Sequence, residues 1–265
     1  MGTDARRRAA RTPRRLKPPT ASLPVAVRPP VALPLQAPLA ARFLRRYKRF
    51  FADVETRDGR TLTVHCVNPG SMLGFDRPGA AVRCSTSDNS KRKLRHTLEM
   101  MRIGRSWVGL NTVRANALAA RALESGVPRA LAGHTRIERE VAVGSGAHRS
   151  RLDFRLGGGR RETWVEVKSV TLAEGGLARF PDSVTARGLR HLEVLRELRA
   201  GGTRAALLFL VQRADCDRVA PADDIDPAYG RALREAAHAG VEILALGARV
   251  TSRSITIERE LPVLL

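Results

Sequence analysis

The chain has 265 residues, 43% of them hydrophobic and 4% aromatic, and a formal net charge of +21 from 47 Lys plus Arg against 26 Asp plus Glu. That length supports one large domain or two modest ones, and no stretch is long and apolar enough to span a bilayer, which excludes the membrane interior. A cationic surplus of this size attracts polyanions, and phosphate backbones are the commonest of these. A composition rich in Ala, Arg, Gly and Pro explains why the cations are arginine. It does not explain why acids are so few, so the balance favours a nucleic-acid partner over a generic basic surface. Cys66, Cys84 and Cys216 are widely spaced, with no Cys-x-x-Cys pair, and the six histidines show no metal-ligand spacing. That pattern argues for small core residues, a reducing compartment and a cytoplasmic protein.

Residues 1–40 form a basic, proline-punctuated extension with Arg6, Arg7, Arg8, Arg11, Arg14, Arg15, Lys17 and Arg28 against the single acid Asp4. Its prolines break every apolar period, and the segment is predicted to be disordered. An organelle transit peptide, a basic arm and an over-extended gene start all share this composition. Residues 41–111 then read as an all-β module. Short runs at 47–54, 61–66, 81–85, 98–103 and 106–110 are separated by Asp58-Gly59, Pro69-Gly70 and Pro78-Gly79 turns, the pattern of a small OB-like barrel. Two of its segments suit phosphate contact. In 42–51, Arg45, Arg46, Lys48 and Arg49 alternate with Phe43, Tyr47, Phe50 and Phe51, which either stack on bases or fill a core. The second is the cluster Lys91, Arg92, Lys93 and Arg95.

Residues 112–265 read as an α/β module: a helix at 113–123, strands at 139–143, 151–156 and 163–170, and a helix at 182–199 capped by Asp182 or Ser183. A buried strand at 205–211, a helix at 226–239 and a strand at 241–246 complete it. Gly157-Gly158-Gly159 turns the second and third strands into a hairpin. On it, Asp153 alternates with Leu152, Phe154 and Leu156, while Glu166 and Lys168 alternate with Val165 and Val167. The pairing can bring two carboxylates and one ammonium to a single side. Two hard oxygen donors suit Mg²⁺, with Mn²⁺ as a substitute, for phosphoryl chemistry. Lys168 is one of only five lysines in an arginine-rich chain, as expected where a compact point charge is needed to orient water or phosphate. The same trio occurs on amphipathic strands as a plain surface ion pair.

Further blocks bear on this choice: Tyr47-Lys48-Arg49-Phe50, Ser85-Thr86-Ser87-Asp88-Asn89, Ser150 to Phe154, Val165 to Leu172, Phe180-Pro181-Asp182, and Arg187-Gly188 with His191-Leu192. In this order the chain from Arg42 to Val263 resembles the sugar fermentation stimulation protein A (SfsA) family. The resemblance implies an OB-like module joined to a PD-(D/E)XK nuclease-like module, DNA binding, and a link to regulation of sugar, particularly maltose, metabolism. It also implies catalytic roles for Asp153, Glu166 and Lys168. The wider nuclease superfamily often adds an acid from the preceding helix. That helix offers Glu124 near its end and Asn116 mid-helix, so Glu140, on the preceding strand, is the preferred third metal ligand beside Asp153 and Glu166. The block His65 to Gly70 departs from the family's His-Cys-Pro-Asn-Thr-Gly but keeps Asn68 and Gly70. Arg187 and His191, at the entry to the 182–199 helix, either hold a phosphate over the site or serve structure alone, Arg187 pairing with Glu193 or Glu166 and His191 capping the packing.

Three functions compete on the sequence. One is a DNA-binding protein, with little sequence specificity, that retains Mg²⁺-dependent endonuclease activity; another is a DNA-binding regulator that does not cleave. The third, an enzyme acting on a small anionic metabolite, lacks any Gly-rich phosphate loop to support it.

Overall fold

The computed structural model describes residues 23–144 and 150–265. Its first element already departs from expectation. β1 (Val25–Pro34) is a strand, within the stretch predicted to be disordered, while residues 1–22 lie outside the described region. Val27 and Val31 of β1 and the following Leu35 and Ala37 are buried, which anchors the segment. Its register breaks between Ala26 and Val31, around Pro29 and Pro30, the kind of irregular edge position where missing N–H groups are tolerated.

A barrel follows, built from β2 (Leu39–Tyr47), β3 (Phe51–Thr56), β4 (Thr61–Cys66), β5 (Ala81–Thr86) and β6 (His96–Ile103), with β7 (Ser106–Gly109) paired to β6. It closes because β4 pairs antiparallel with β3 and parallel with β6, at His65↔Thr97 and Cys66↔Leu98. Phe43, Val54, Val64, Cys66, Cys84, Leu98 and Met101 fill its interior. The predicted strand at 47–54 is two strands with a turn between them, where Lys48 and Arg49 take left-handed backbone angles (φ 44° and 63°).

The α/β module is a seven-stranded mixed sheet in the order β1-β16-β15-β13-β10-β9-β8. Its strands are β8 (Arg136–Val143), β9 (Ser150–Gly157), β10 (Thr163–Val170), β13 (Arg204–Val211), β15 (Glu242–Val250) and β16 (Ser254–Glu260), with β1 at one edge. A small sheet of β11 (Ala173–Glu174), β12 (Leu177–Phe180) and β14 (Arg218–Pro221) sits beside it. β1 precedes the barrel in sequence but completes the sheet that follows it, so the chain wraps both modules together. α1 (Val113–Glu124) packs on one face with Phe154, Leu156, Val165 and Val167. α2 (Ala186–Ala200) and α3 (Pro227–His238) pack on the other with Leu152, Trp164, Leu207 and Phe209. Met100 and Trp107 of the barrel strands enter the α1-side core, so the modules share packed interior. Among the described residues no helix is long and apolar enough to cross a membrane.

Candidate metal centre

The β9–β10 hairpin forms as expected, with Thr163↔Leu156, Trp164↔Arg155 and Val165↔Phe154 in register, and then the ladder stops. The next pair in sequence would be Glu166 opposite Asp153. There the Asp153 carboxylate takes a backbone donor itself: Val167 N–H donates to Oδ2 at 2.7 Å. Asn116 Nδ2 of α1 donates to Oδ1 at 2.6 Å. One expectation fails at this point. Leu152, Phe154 and Leu156 do not share a face, because Leu152 joins the α2-side core and the other two the α1-side core. The strand changes faces around Asp153, where the ladder ends.

Glu166 lies on the α2 side and is 3% exposed. Its Oε1 accepts from Lys168 Nζ at 2.6 Å and contacts His191 Nδ1 from α2. His191 Nδ1 also lies 3.2 Å from Lys168 Nζ, and Arg187 Nε reaches His191 Nε2 at 3.4 Å. The other oxygen, Oε2, is buried and has no hydrogen-bond partner among the described residues. The two acids are shifted in opposite directions. Burial, then the nearby Glu166 charge, push Asp153 up to about 6, only partly offset by Val167 N–H, Asn116 and Lys168. Burial also works against ionised Glu166, but the His191 hydrogen bond and the Lys168 charge outweigh it and hold the group below its usual range. Two carboxylates in mutual repulsion, one with a buried free oxygen, fit a divalent cation with oxygen ligands. Asp153 and Glu166 are the residues that would hold it.

The preferred third acid is not brought in. Glu140 lies on β8 between Arg139↔Phe154 and Val141↔Leu152, beside Asp153 in register, but it is solvent-exposed with a left-handed backbone (φ 53°). Among the described residues no three His, Cys, Asp or Glu side chains gather as a metal site. The helix position is filled by Asn116, whose reach to Asp153 is visible only once α1 is placed over β9. His191 is 4% exposed. It is engaged with Glu166 from inside while also lining a cavity with Arg187 and Arg190.

The predicted cation clusters divide similarly. Arg45 pairs with Asp53 at 2.8 Å and lies over the Tyr47 ring. Arg46 is spent on backbone carbonyls, donating to Asn68 O at 2.7 Å, Arg49 O at 2.9 Å, Gly70 O at 3.0 Å and Ser71 O at 3.1 Å. Phe43 is core, Tyr47 and Phe51 stack on each other with centroids 5.6 Å apart, and Phe50 is 43% exposed. Lys48 and Arg49 project from the exposed turn. Lys91, Arg92, Lys93 and Arg95 lie on the barrel surface, with Arg92 donating to Thr97 Oγ1.

A cleft of 510 Å³ separates the modules, with Arg49 and Asn68 on the barrel side and Lys168, Phe180 and Arg187 on the other. Asp182 latches its walls: Met72 N–H donates to its carboxylate at 2.9 Å and Ser71 Oγ to its carbonyl at 2.5 Å. Asp182 is therefore not the α2 cap. Thr185 is, accepting from Gly188 N–H at 3.0 Å. Gly70 is required by this latch, since a Cβ there would sit 2.7 Å from the Asp182 carboxylate.

Residues 113–254 match the model described as "Sugar fermentation stimulation protein RE domain", and residues 44–110 match "SfsA N-terminal OB domain". A sugar fermentation stimulation protein homolog of Geobacter sulfurreducens is 50% identical over 83% of this chain and 94% of its own. One from Pseudomonas aeruginosa is 49% identical over 84% and 95%. Among solved structures, Pyrococcus furiosus SfsA in complex with Ca²⁺ superposes with a TM-score of 0.78 at 30% identity, covering 92% of this chain and all of that one. The chain belongs to the sugar fermentation stimulation protein (SfsA) family, with an N-terminal OB barrel followed by an α/β module.

Proposed function

We propose that this protein binds DNA in the cleft between its modules and carries there a nuclease-type centre dependent on Mg²⁺, for which Mn²⁺ substitutes. The observation that carries the reading is the buried free oxygen of Glu166 beside an Asp153 whose ionisation burial and the Glu166 charge make harder. The P. furiosus relative, solved in complex with Ca²⁺, supports the same ligand class. When bound, a divalent cation stabilises charge on phosphoryl oxygens and acidifies water. The chain's own groups do the rest. Asn116 and Val167 N–H orient Asp153, and His191 fixes Glu166. Lys168, only 12% exposed in its side chain, presents a point charge at the cleft floor to position a phosphate or water. Arg49 and Arg187 neutralise the flanking backbone. The family name refers to stimulation of sugar fermentation, and a regulatory role in sugar metabolism exerted through DNA is the reading proposed for it here.

The test is incubation with single-stranded, duplex and branched DNA in Mg²⁺ or Mn²⁺. Metal-dependent cleavage that disappears in Asp153→Ala is expected. A second reading, binding without cleavage, is favoured by one observation: among the described residues only two acids meet at the centre, and Asn116 stands where a third would be. Failure of the well-folded wild type to cut any substrate, with binding that survives chelator and Lys168→Ala, would establish the second reading in place of the first.

A further inference from the structure

The cleft does not end at its own walls. Arg49 also lines a 320 Å³ cavity on the other side of the β2–β3 turn, with Tyr47, Lys48 and Met72. Arg187 also lines a 390 Å³ cavity beyond the metal centre, with Arg151, Arg190 and His191. Three cavities thus form a chain through two shared arginines, with Lys168 in the middle. Among the described residues no ion pair engages Lys48, Arg49, Arg187 or Arg190. Of the acids lining these cavities, Asp182 has its carboxylate held by Met72 N–H, leaving Asp76. Cations outnumber acids among the lining residues of the path.

Its rims carry a second signal. Seven large apolar side chains are exposed among the described residues, and three of them are Leu23 and Val25, at the start of the described region, and Leu265. The other four are Phe50, Leu73, Val113 and Val184, exposed by 43–75%. Val184 lines the cleft, and the remaining three adjoin the lining residues Arg49, Met72 and Thr112. Single exposed apolar residues are ordinary, but one of these four lines the path and the other three are each the chain neighbour of a residue that does. Cations that track a backbone, with apolar and aromatic surfaces beside them, suit a strand whose bases are uncovered. In a duplex the bases are stacked inside, and the rim would meet only phosphate and sugar. Depth points the same way. Lys168 lines a cleft whose walls are latched by Ser71, Met72 and Asp182, and its partner Glu166 is buried behind it, so the reacting phosphate must descend into the cleft to reach them.

Resting on the function proposed above, we infer that the path receives a single-stranded nucleic acid, with phosphates along Arg49, Lys168 and Arg187 and bases against Phe50 and Val184. Fluorescence anisotropy in chelator, at one fixed salt concentration, tests this with equal-length single-stranded DNA, single-stranded RNA and blunt duplex. Single strands are expected to bind about ten-fold more tightly than duplex, the better of DNA and RNA identifying the natural ligand. Phe50→Ser and Val184→Ser, both at exposed positions, are expected to lower single-strand affinity several-fold and leave duplex affinity unchanged. Equal or tighter duplex binding overturns the inference and leaves the nucleic-acid reading standing, as does full single-strand affinity in both variants. Absence of binding to all three probes overturns both.

Discussion

Two buried glutamates on this chain are each 3% exposed and yet are built for different ends. Glu99, on β6, is saturated. Ser85 Oγ and Arg114 donate to one oxygen at 2.7 and 2.9 Å, and Asn111 and Arg114 donate to the other at 3.0 and 3.2 Å. It ties the barrel to the start of α1. Glu166 concentrates its partners on one oxygen and leaves the other bare, beside a second acid. A buried charge that is fully satisfied is a structural joint. One left half-satisfied against a like charge costs stability and retains a capacity to bind.

The largest effect should come from making the same change at both. Glu99→Gln removes the charge facing Arg114 and sets an amide donor against other donors, at a cost of about 3 kcal/mol. Glu166→Gln keeps a neutral acceptor for His191 and relieves repulsion with Asp153 but leaves the Lys168 charge without its partner, so it should cost about 1–2 kcal/mol, less than Glu99→Gln. Denaturant unfolding of both variants measures this, and equal losses would erase the distinction.

Next in size is Asp153→Asn, expected to stabilise the metal-free protein by about 1–3 kcal/mol at neutral pH, since each unit of pKa shift is about 1.4 kcal/mol. The sign follows from a folded carboxyl raised to about 6 from 3.8. The folded state keeps a proton that the unfolded chain has lost, so wild-type stability should fall as pH rises from about 4 to about 6. The variant should flatten that segment of the profile. A profile unchanged by the substitution would show that Asp153 is not the group that titrates there.

A smaller loss, about 1–2 kcal/mol from overpacking, is expected for Gly70→Ala, where the new methyl meets the Asp182 carboxylate. Its distinguishing sign is faster proteolysis or hydrogen exchange around Ser71 and Asp182, with Glu99 and its partners unaffected. Uniform loss across the molecule would show that Asp182 is not a local latch.

How much of this is legible in the sequence follows from the range of each interaction. The β9–β10 hairpin is readable because alternation and a glycine turn are local signals. The ladder's end at Asp153 is not, because it depends on Val167 N–H and on α1 lying overhead. Strand order alone favours Glu140 over Asn116 for the same reason: which of two polar residues reaches Asp153 is decided by packing between elements far apart in sequence. β1 is hidden by its prolines, which remove periodicity but not the capacity of Val27 and Val31 to be buried at a sheet edge. Arg46 has the composition of a phosphate contact, yet the carbonyls it holds belong to residues 49–71, and nothing local announces them. The OB barrel is legible in its turns, while the β4–β6 pairing that closes it is long-range.

The central claim is that Asp153 and the bare oxygen of Glu166 hold a divalent cation. Isothermal titration of Mg²⁺, Mn²⁺ and Ca²⁺ into the wild type, Glu166→Gln and Glu99→Asp, at about pH 5 and about pH 7.5, on either side of the Asp153 transition, tests it most directly. Saturable binding is predicted for the wild type and for Glu99→Asp where it remains folded. Affinity should be weaker at the lower pH, where the proton on Asp153 competes, and binding should vanish in Glu166→Gln. Heat from all three ions that is absent at both pH values in the wild type, or undiminished in folded Glu166→Gln, would contradict it.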